Sequence, residues 1–397
     1  MTSSLNRDQA QHALAGVGAA CDAAGAVRAA RRIVIKVGSA ILCGEASNGV
    51  VREAWLRTLA QDVGQLRAAG CEVALVTSGA IALGRERLGL SGALRLDEKQ
   101  AASAAGQAAL AQAWQAAFAP HDINIAQILL TLEDTETRRR YLNARATLRT
   151  LLDLGALPLV NENDTIATSE IRYGDNDRLA AHTAQLIEGD LLIILSDVDG
   201  LYTADPRRDA QAKHINVVDA ITLEIESAAG GANERTGLGS GGMASKIAAA
   251  KIAGGAGCAT VIAPGFADHP VAAVLDGGPA TLLRAAVSRE GARRQWIAGR
   301  LKPLGRLIID DGAARALSGG ASLLPAGVSA VEGAFSRGDA VEIATADGAL
   351  IGQGLSAYDA GDARKVAGCK SDLIESILGY RRRPALVEKG DLVLKAD

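Results

Sequence analysis

The sequence predicts an α/β protein: an αβα sandwich around a mainly parallel sheet, followed by a smaller β-rich domain. Three observations carry this. Short apolar runs recur, each ending in small residues and leading into a segment of helical periodicity, which is the pattern of βαβ units. The composition is 48% hydrophobic with 45 glycines and only 3% aromatic residues, which suits close helix–sheet contacts. After about residue 285 the pattern changes to short β segments separated by glycine turns. At 397 residues the chain is too long for one ordinary core, so two domains are expected. The net charge of −3 gives no global attraction to nucleic acid or an anionic membrane. No apolar run is long enough to span a bilayer. The five cysteines, Cys21, Cys43, Cys71, Cys258 and Cys369, form no CxxC pair and read as reduced thiols of a cytoplasmic protein.

Taken in order, residues 1–30 are Ala-rich without a signal-peptide pattern and read as a mobile or loosely helical extension. Arg32–Val37 is a short β-branched run that contains Lys36 two residues before Gly38. A lysine inside a buried strand is costly unless it meets an anion, and a strand ending in Gly-Ser lets backbone N–H groups approach a phosphate. On this stretch alone, a lysine on an edge strand is the commoner reading. Val51–Ala69 has helical spacing and Gly70 ends it. Cys71–Val76 is a second strand running into Thr77-Ser78-Gly79 and a helix, where Ser78 reads either as an N-cap or as an anion-side group. A helix over Glu98–Phe118, a strand over Ile123–Leu130 and an arginine-dotted helix over Asp134–Leu154 follow, the arginines reading as solvated or salt-bridged.

The strand Leu157–Val160 ends in Asn161-Glu162-Asn163-Asp164, a density of short polar side chains that suits either a turn or a pocket for an amine and a carboxylate. Asp175-Asn176-Asp177 opens an apolar helix ending near Gly189. Those carboxylates suit N-capping or the orientation of ammonium groups. His182 inside this helix reads as packed or surface. Leu191–Leu195 is the most continuous strand and runs into Ser196-Asp197. The segment Gly237–Lys246 is glycine-rich, exposes backbone N–H groups and adds a cation where a helix begins. Gly237, Gly239 and Gly242 fit GxGxxG, but no apolar strand precedes them, and Lys246 is followed by Ile247, so neither a dinucleotide fingerprint nor a P-loop is present. No His/Cys/Asp grouping has zinc spacing. Cys258–Ala263 is the last strand of the first domain. Residues 286–303 read as a linker, 304–385 as a small barrel-like β domain with a helix near Asp372–Leu378, and 386–397 as a tail.

Together these motifs resemble the glutamate 5-kinases of the amino-acid-kinase superfamily, with a C-terminal PUA domain. The resemblance covers roughly residues 31–385. It rests on Ile35-Lys36-Val37-Gly38-Ser39, Thr77-Ser78-Gly79-Ala80-Ile81, Gly106-Gln107, Asn161–Asp164, Gly174–Asp177, Gly200–Pro206 and Gly241–Lys246, and in the second domain on Ser322–Gly327 and Phe335–Asp339. It implies ATP-dependent phosphorylation of the side-chain carboxylate of L-glutamate, the first step of proline biosynthesis, with Mg²⁺ on the phosphates. By the same resemblance Lys36, Lys246, Asp177 and Gly38 are catalytic, and Ser78, Asn161, Asp164, Asp175 and Asn176 surround the glutamate. Lys36, Ser196, Asp197, Ser240, Gly241, Gly242, Met243, Ala244, Ser245 and Lys246 face the ATP. Proline as feedback inhibitor and a homo-oligomer, dimer or tetramer, are implied as well. The sequence departs from the family's pattern at Ala40 and at Ala244-Ser245, neither in a charged role. A sibling kinase acting on aspartate or N-acetylglutamate, or a PUA-type RNA-binding accessory protein, are the alternatives. Residues 301–397 carry 12 Lys+Arg against 13 Asp+Glu, which disfavours a phosphate-backbone binder.

Overall fold

The computed structural model describes residues 17, 20–44, 49–167, 175–206, 209–230, 242–288, 291–292, 303–380 and 383–395, apart from the side chains of Arg138 and Asp175. The chain forms two compact units, Met1–Arg289 and Glu290–Asp397.

The first unit begins with helix α1 (Ala23–Ala29), capped by Asp22 and buried through Ala23, Ala24, Ala26 and Val27. This part of the expected loose extension is docked, because small side chains let the helix lie close against the core and Arg28 donates to the Leu275 carbonyl at 2.5 Å. The elements that follow are β1 (Arg32–Val37), α2 (Ser39–Cys43), α3 (Glu53–Ala68), β2 (Glu72–Thr77), α4 (Ala80–Arg87), α5 (Leu96–Phe118) and β3 (Ile125–Leu130). Next come α6 (Leu132–Glu136), α7 (Arg138–Asp153), β4 (Leu157–Glu162), α8 (Asp175–Ile187), β5 (Leu191–Ser196), β6 (Leu201–Tyr202), β7 (His214–Ile215) and β8 (Val217–Val218). The unit closes with α9 (Leu223–Gly230), α10 (Met243–Gly255), β9 (Ala259–Pro264), α11 (Pro270–Leu275) and β10 (Thr281–Leu283). The single helix expected over 134–154 is two helices, broken where Thr137 leaves the helical region at ψ 112°. The α7 arginines are largely paired, Arg140 with Asp134 at 3.1 Å, Arg145 with Glu188 at 2.6 Å and Arg149 with Asp153 at 3.4 Å.

Eight strands form one sheet in the order β3-β4-β2-β1-β5-β9-β10-β8, parallel except where β10 meets β9. Strand alternation divides the core into two layers. Ile33, Ile35, Val37 and Leu75 face a cluster with α3 and α5, and Val34, Val76, Leu192 and Ile194 face one with α7, α8 and α10. Lys36 shares the face of Val34. β1 is central, with Lys36 registered against Val76 on one side and Ile194 on the other, so the edge-strand reading of this lysine is wrong. Chain order runs from β1 outward through β2 and then returns to β5 on the opposite side of β1. Parallel sheets bind ligands beyond the carboxyl ends of strands flanking such a reversal.

The second unit is a five-stranded sheet of β11 (Gly305–Ile309), β12 (Val328–Gly333), β13 (Ala340–Thr345), β14 (Leu350–Leu355) and β15 (Leu392–Leu394) in the order β12-β11-β13-β14-β15. Helices α12 (Asp311–Ser318), α13 (Ala360–Val366) and α14 (Ile374–Leu378) accompany it. The expected tail belongs to this unit, since Leu386 and Val387 are buried in its core and β15 pairs with β14. Most of the expected 286–303 linker lies outside the described residues.

One contact positions the site wall. α4 and α5 cross backbone to backbone, and a Cβ on Gly106 would lie 1.9 Å from the Ala80 carbonyl oxygen, one on Gly84 1.6 Å from that of Ala102. Gly106→Ala is expected to push the helices apart and cost about 1–3 kcal/mol, read as a lower midpoint in urea. Gly255→Ala, with nothing within 4 Å, is expected to be neutral or stabilising by up to about 1 kcal/mol.

Candidate active site

The carboxyl ends of β4, β2, β1 and β5 lie side by side in the sheet and bring Asn161, Ser78, Gly38 and Ser196 to one edge. The first turn of α8 closes this edge, and its neighbouring residues Asn176 and Asp177 serve opposite sides. Asp177 is fully buried and lies 2.6 Å from Lys36 Nζ through Oδ1 and 3.8 Å from Lys246 Nζ through Oδ2. Ser245 Oγ donates to the same Oδ2 at 2.7 Å. The lysines are themselves buried, Lys36 at 7% exposure and Lys246 at 4%. They come from different layers of the fold, Lys36 from the central strand and Lys246 from the first turn of α10.

The electrostatics follow from the burial. Desolvation pushes the Asp177 carboxyl up, but Lys36, Lys246 and the hydrogen bonds from Lys36 and Ser245 outweigh it and hold the group below the usual carboxylate range. The helix N-terminus acts in the same direction. Lys246 is pushed down by burial and by Lys36, against the pull of Asp177 and of Asp197. The cluster therefore holds two cations around one anion, a net positive charge out of water. Gly38, with φ −76°, needs no glycine for its backbone. A Cβ there would lie 3.5 Å from Lys36 Nζ, so the missing side chain leaves room beside the ammonium.

On the β2/β4 side the polar groups are largely uncharged. Asn176 Nδ2 donates to the Thr77 carbonyl at 2.9 Å, to Ser78 Oγ at 2.5 Å and to Asn161 Oδ1 at 3.2 Å. Asn161 Nδ2 donates in turn to Gln107 Oε1 at 3.0 Å. Ser78 is not an N-cap, because α4 is capped by Gly79 in the left-handed region at φ 113°. Its hydroxyl is instead engaged with Asn176. Asp164 is buried and accepts from Ser103 Oγ at 2.8 Å. Burial raises its carboxyl, partly offset by that hydrogen bond.

On the β5 side Ser196 Oγ donates to Asp197 Oδ1 at 3.0 Å, and Asp197 is exposed. Gly242, Met243 and Ala244 lie at the start of α10, whereas Ser245 touches Asp177. Ser240, Gly241, Gly174 and the Asp175 side chain lie outside the described residues. His182 is half-buried within α8. Sequence reasoning singled out Gln107 only as part of the Gly106-Gln107 motif, without a role, and did not single out Ser103. Their spacing of four on one helix, either side of the crossing glycine Gly106, is the signal that would have found them.

The family model of the amino acid kinase family matches residues 31–264, and that of the PUA domain matches residues 305–378. A protein of Caulobacter vibrioides named glutamate 5-kinase is 56% identical over 371 residues, 93% of this chain and 98% of its own. The chain belongs to the amino acid kinase family, among its glutamate 5-kinases. Another such kinase, from Paramagnetospirillum magneticum, is 53% identical over 92% of this chain and 98% of its own. Of solved structures, the UMP kinase of Bacillus anthracis is similar over 65% of this chain and 97% of its own, at 14% identity and a TM-score of 0.44. In this amino acid kinase the resemblance read from the motifs coincides with the match to family and relatives.

The Asp177 cluster makes a stability prediction. Asp177→Asn leaves two buried ammonium groups without their counter-charge and is expected to cost about 3–5 kcal/mol at neutral pH, measured by urea unfolding. Because the folded carboxyl sits below its unfolded value, its contribution is complete above the unfolded pKa of about 3.9 and is lost as pH falls through the folded one. The gap between wild type and variant is therefore expected to narrow on acidification below about pH 4.

Proposed function

We propose that this protein transfers the γ-phosphoryl group of ATP to the side-chain carboxylate of L-glutamate, giving L-glutamyl 5-phosphate and ADP, the first step of proline biosynthesis. The observation that carries this is the pair of buried lysines, Lys36 and Lys246, converging on Asp177 at 2.6 and 3.8 Å. Phosphoryl transfer passes through a charge-rich, in-line transition state, so catalysis is mostly positioning and electrostatics. The acceptor carboxylate is already ionised at neutral pH, so no general base is required. The obstacle is repulsion between carboxylate and triphosphate, and two ammonium groups approaching from different layers offset it.

In this reading Lys36 and Lys246 hold the transferred group and Asp177 aims them. Gly38 donates its N–H to a phosphate oxygen. Ser78, Asn161, Asp164, Asp175 and Asn176 bind the glutamate, with the Asp164 carboxylate suited to its ammonium group. Ser196, Asp197 and the Ser240–Lys246 segment face the nucleotide. Mg²⁺ accompanies the triphosphate and is held by phosphates and water; among the described residues no group of three His, Cys, Asp or Glu could hold a metal ion. The family resemblance further supports proline competing at the acceptor pocket, a homo-oligomer built through the kinase domain and a cytoplasmic location. The acidic balance of the PUA domain supports a regulatory or assembly role over RNA binding.

The test is ADP release with ATP, Mg²⁺ and glutamate, aspartate or N-acetylglutamate in turn. Glutamate is expected to give the highest kcat/KM, and a preference for aspartate would overturn the substrate. Lys36→Ala and Lys246→Ala are each expected to lower kcat by on the order of 10²-fold or more with a small change in the KM for glutamate. Retained turnover in either would remove that lysine from the chemistry.

A further inference from the structure

Helix α5 contributes a pair of side chains to the acceptor pocket that the proposed chemistry leaves without a role. Ser103 and Gln107 are four residues apart and share one helical face. Each contacts a different residue at or beyond the end of β4, Ser103 Oγ donating to Asp164 Oδ2 at 2.8 Å and Gln107 Oε1 accepting from Asn161 Nδ2 at 3.0 Å. The helix is pinned between these contacts by the backbone crossing at Gly106, where even a methyl group would collide with the Ala80 carbonyl. Ser103 is 2% exposed and Asp164 7%, so their hydrogen bond is shielded from competing water.

We infer that Ser103 and Gln107 are positioning residues for the phosphoryl acceptor, acting through Asp164 and Asn161. This rests on the reading of Asp164 and Asn161 as substrate groups. The two contacts do different work. Gln107 fixes which way the Asn161 amide faces, because its oxygen takes the Asn161 N–H and leaves the Asn161 oxygen to Asn176. A second feature points to a ligand at this row of amides: Gln107 Nε2 and Asn176 Oδ1 are both buried and without a hydrogen-bond partner. Buried polar groups in native proteins are nearly always satisfied, and an amino acid brings acceptors for the first and donors for the second.

Ser103 acts on charge. A substrate ammonium is attracted to Asp164 only while that carboxylate is ionised. Burial opposes ionisation, and the Ser103 hydroxyl is the hydrogen bond that favours it. Around Asp164 the described acceptor groups Ser78, Asn161, Asn176 and Gln107 are neutral. The charged side chains of the surrounding elements include Glu162 at the end of β4, half-buried Glu98 and Lys99 before Ser103 on α5, Arg85 on α4, Arg178 on α8 and the Lys36–Asp177–Lys246 cluster, but burial and the Ser103 hydroxyl are the influences that act on the Asp164 carboxyl. Removing the hydroxyl lets the Asp164 carboxyl rise further, so protonation begins at a higher pH.

The test is initial-rate kinetics of the full chain, varying glutamate and ATP separately between about pH 5 and 9. Ser103→Ala is expected to raise the KM for glutamate about tenfold, the loss of one hydrogen bond to a charged group. The KM for ATP and kcat are expected to stay within about twofold. The acid-side rise in the KM for glutamate is expected to begin at a higher pH than in wild type, and Ser103→Thr to restore the wild-type profile. Gln107→Leu is expected to raise the KM for glutamate without moving that acid-side rise. An unchanged KM for glutamate in both variants, or equal losses toward glutamate and ATP with an unmoved pH profile, would overturn the proposal while wild-type turnover leaves the kinase reading intact. A wild type that turns over no glutamate would remove both.

Discussion

Two ammonium groups taken out of water must share one carboxylate, and much of the first unit can be understood from that requirement. Asp177 is fully buried and burial opposes its charge; the proximity of Lys36 and Lys246, with the hydrogen bonds from Lys36 and Ser245, keeps it ionised. The dependence is mutual, because a buried ammonium is no more tolerable than a buried carboxylate without its partner. The sheet order serves this pairing. Placing β1 between β2 and β5 puts Lys36 deep under α8, and the parallel run of β5 into β9 sets α10 beside it.

The cluster also divides the site into two halves of different character. Toward β5 there are hydroxyl and acidic groups and the start of α10. Toward β2 and β4 there is a chain of amides, Gln107 to Asn161 to Asn176, with one carboxylate set apart under Ser103. Amides are a sensible lining there. Under the proposed function they would recognise both ends of a zwitterion without adding charge beside the two ammonium groups. A further lysine would compete with Lys36 and Lys246 for Asp177, and a further aspartate would repel the incoming carboxylate.

Much of this was legible in the sequence because it is local. β-branched runs, glycine stops and helical spacing mark β1, β2, β4, β5 and the helices between them, and motif order identifies the family. What was not legible depends on which strand lies beside which. Nothing within Arg32–Val37 says that the strand is central, so Lys36 read more readily as an edge residue. Ser103 sits in a long alanine-rich helix, outside the Gly106-Gln107 motif that follows it, and its meaning comes from Asp164, 61 residues away. The resemblance put Ser245 among the nucleotide-side residues but gave no hint that its hydroxyl also meets Asp177, 68 residues away in sequence. Val27 and its alanine neighbours lacked the amphipathic spacing that would have announced a docked helix; small size, not periodicity, lets them pack.

The central claim is that a carboxylate oxygen attacks phosphorus between the two lysines, and oxygen tracing tests it most directly. Glutamate labelled with ¹⁸O in its side-chain carboxylate is turned over with ATP and the product is trapped with hydroxylamine, which attacks the acyl carbon and releases inorganic phosphate. Attack by the carboxylate predicts phosphate bearing one ¹⁸O atom for each hydroxamate formed, read by mass spectrometry. Unlabelled phosphate, or ADP release that does not depend on glutamate, would contradict it.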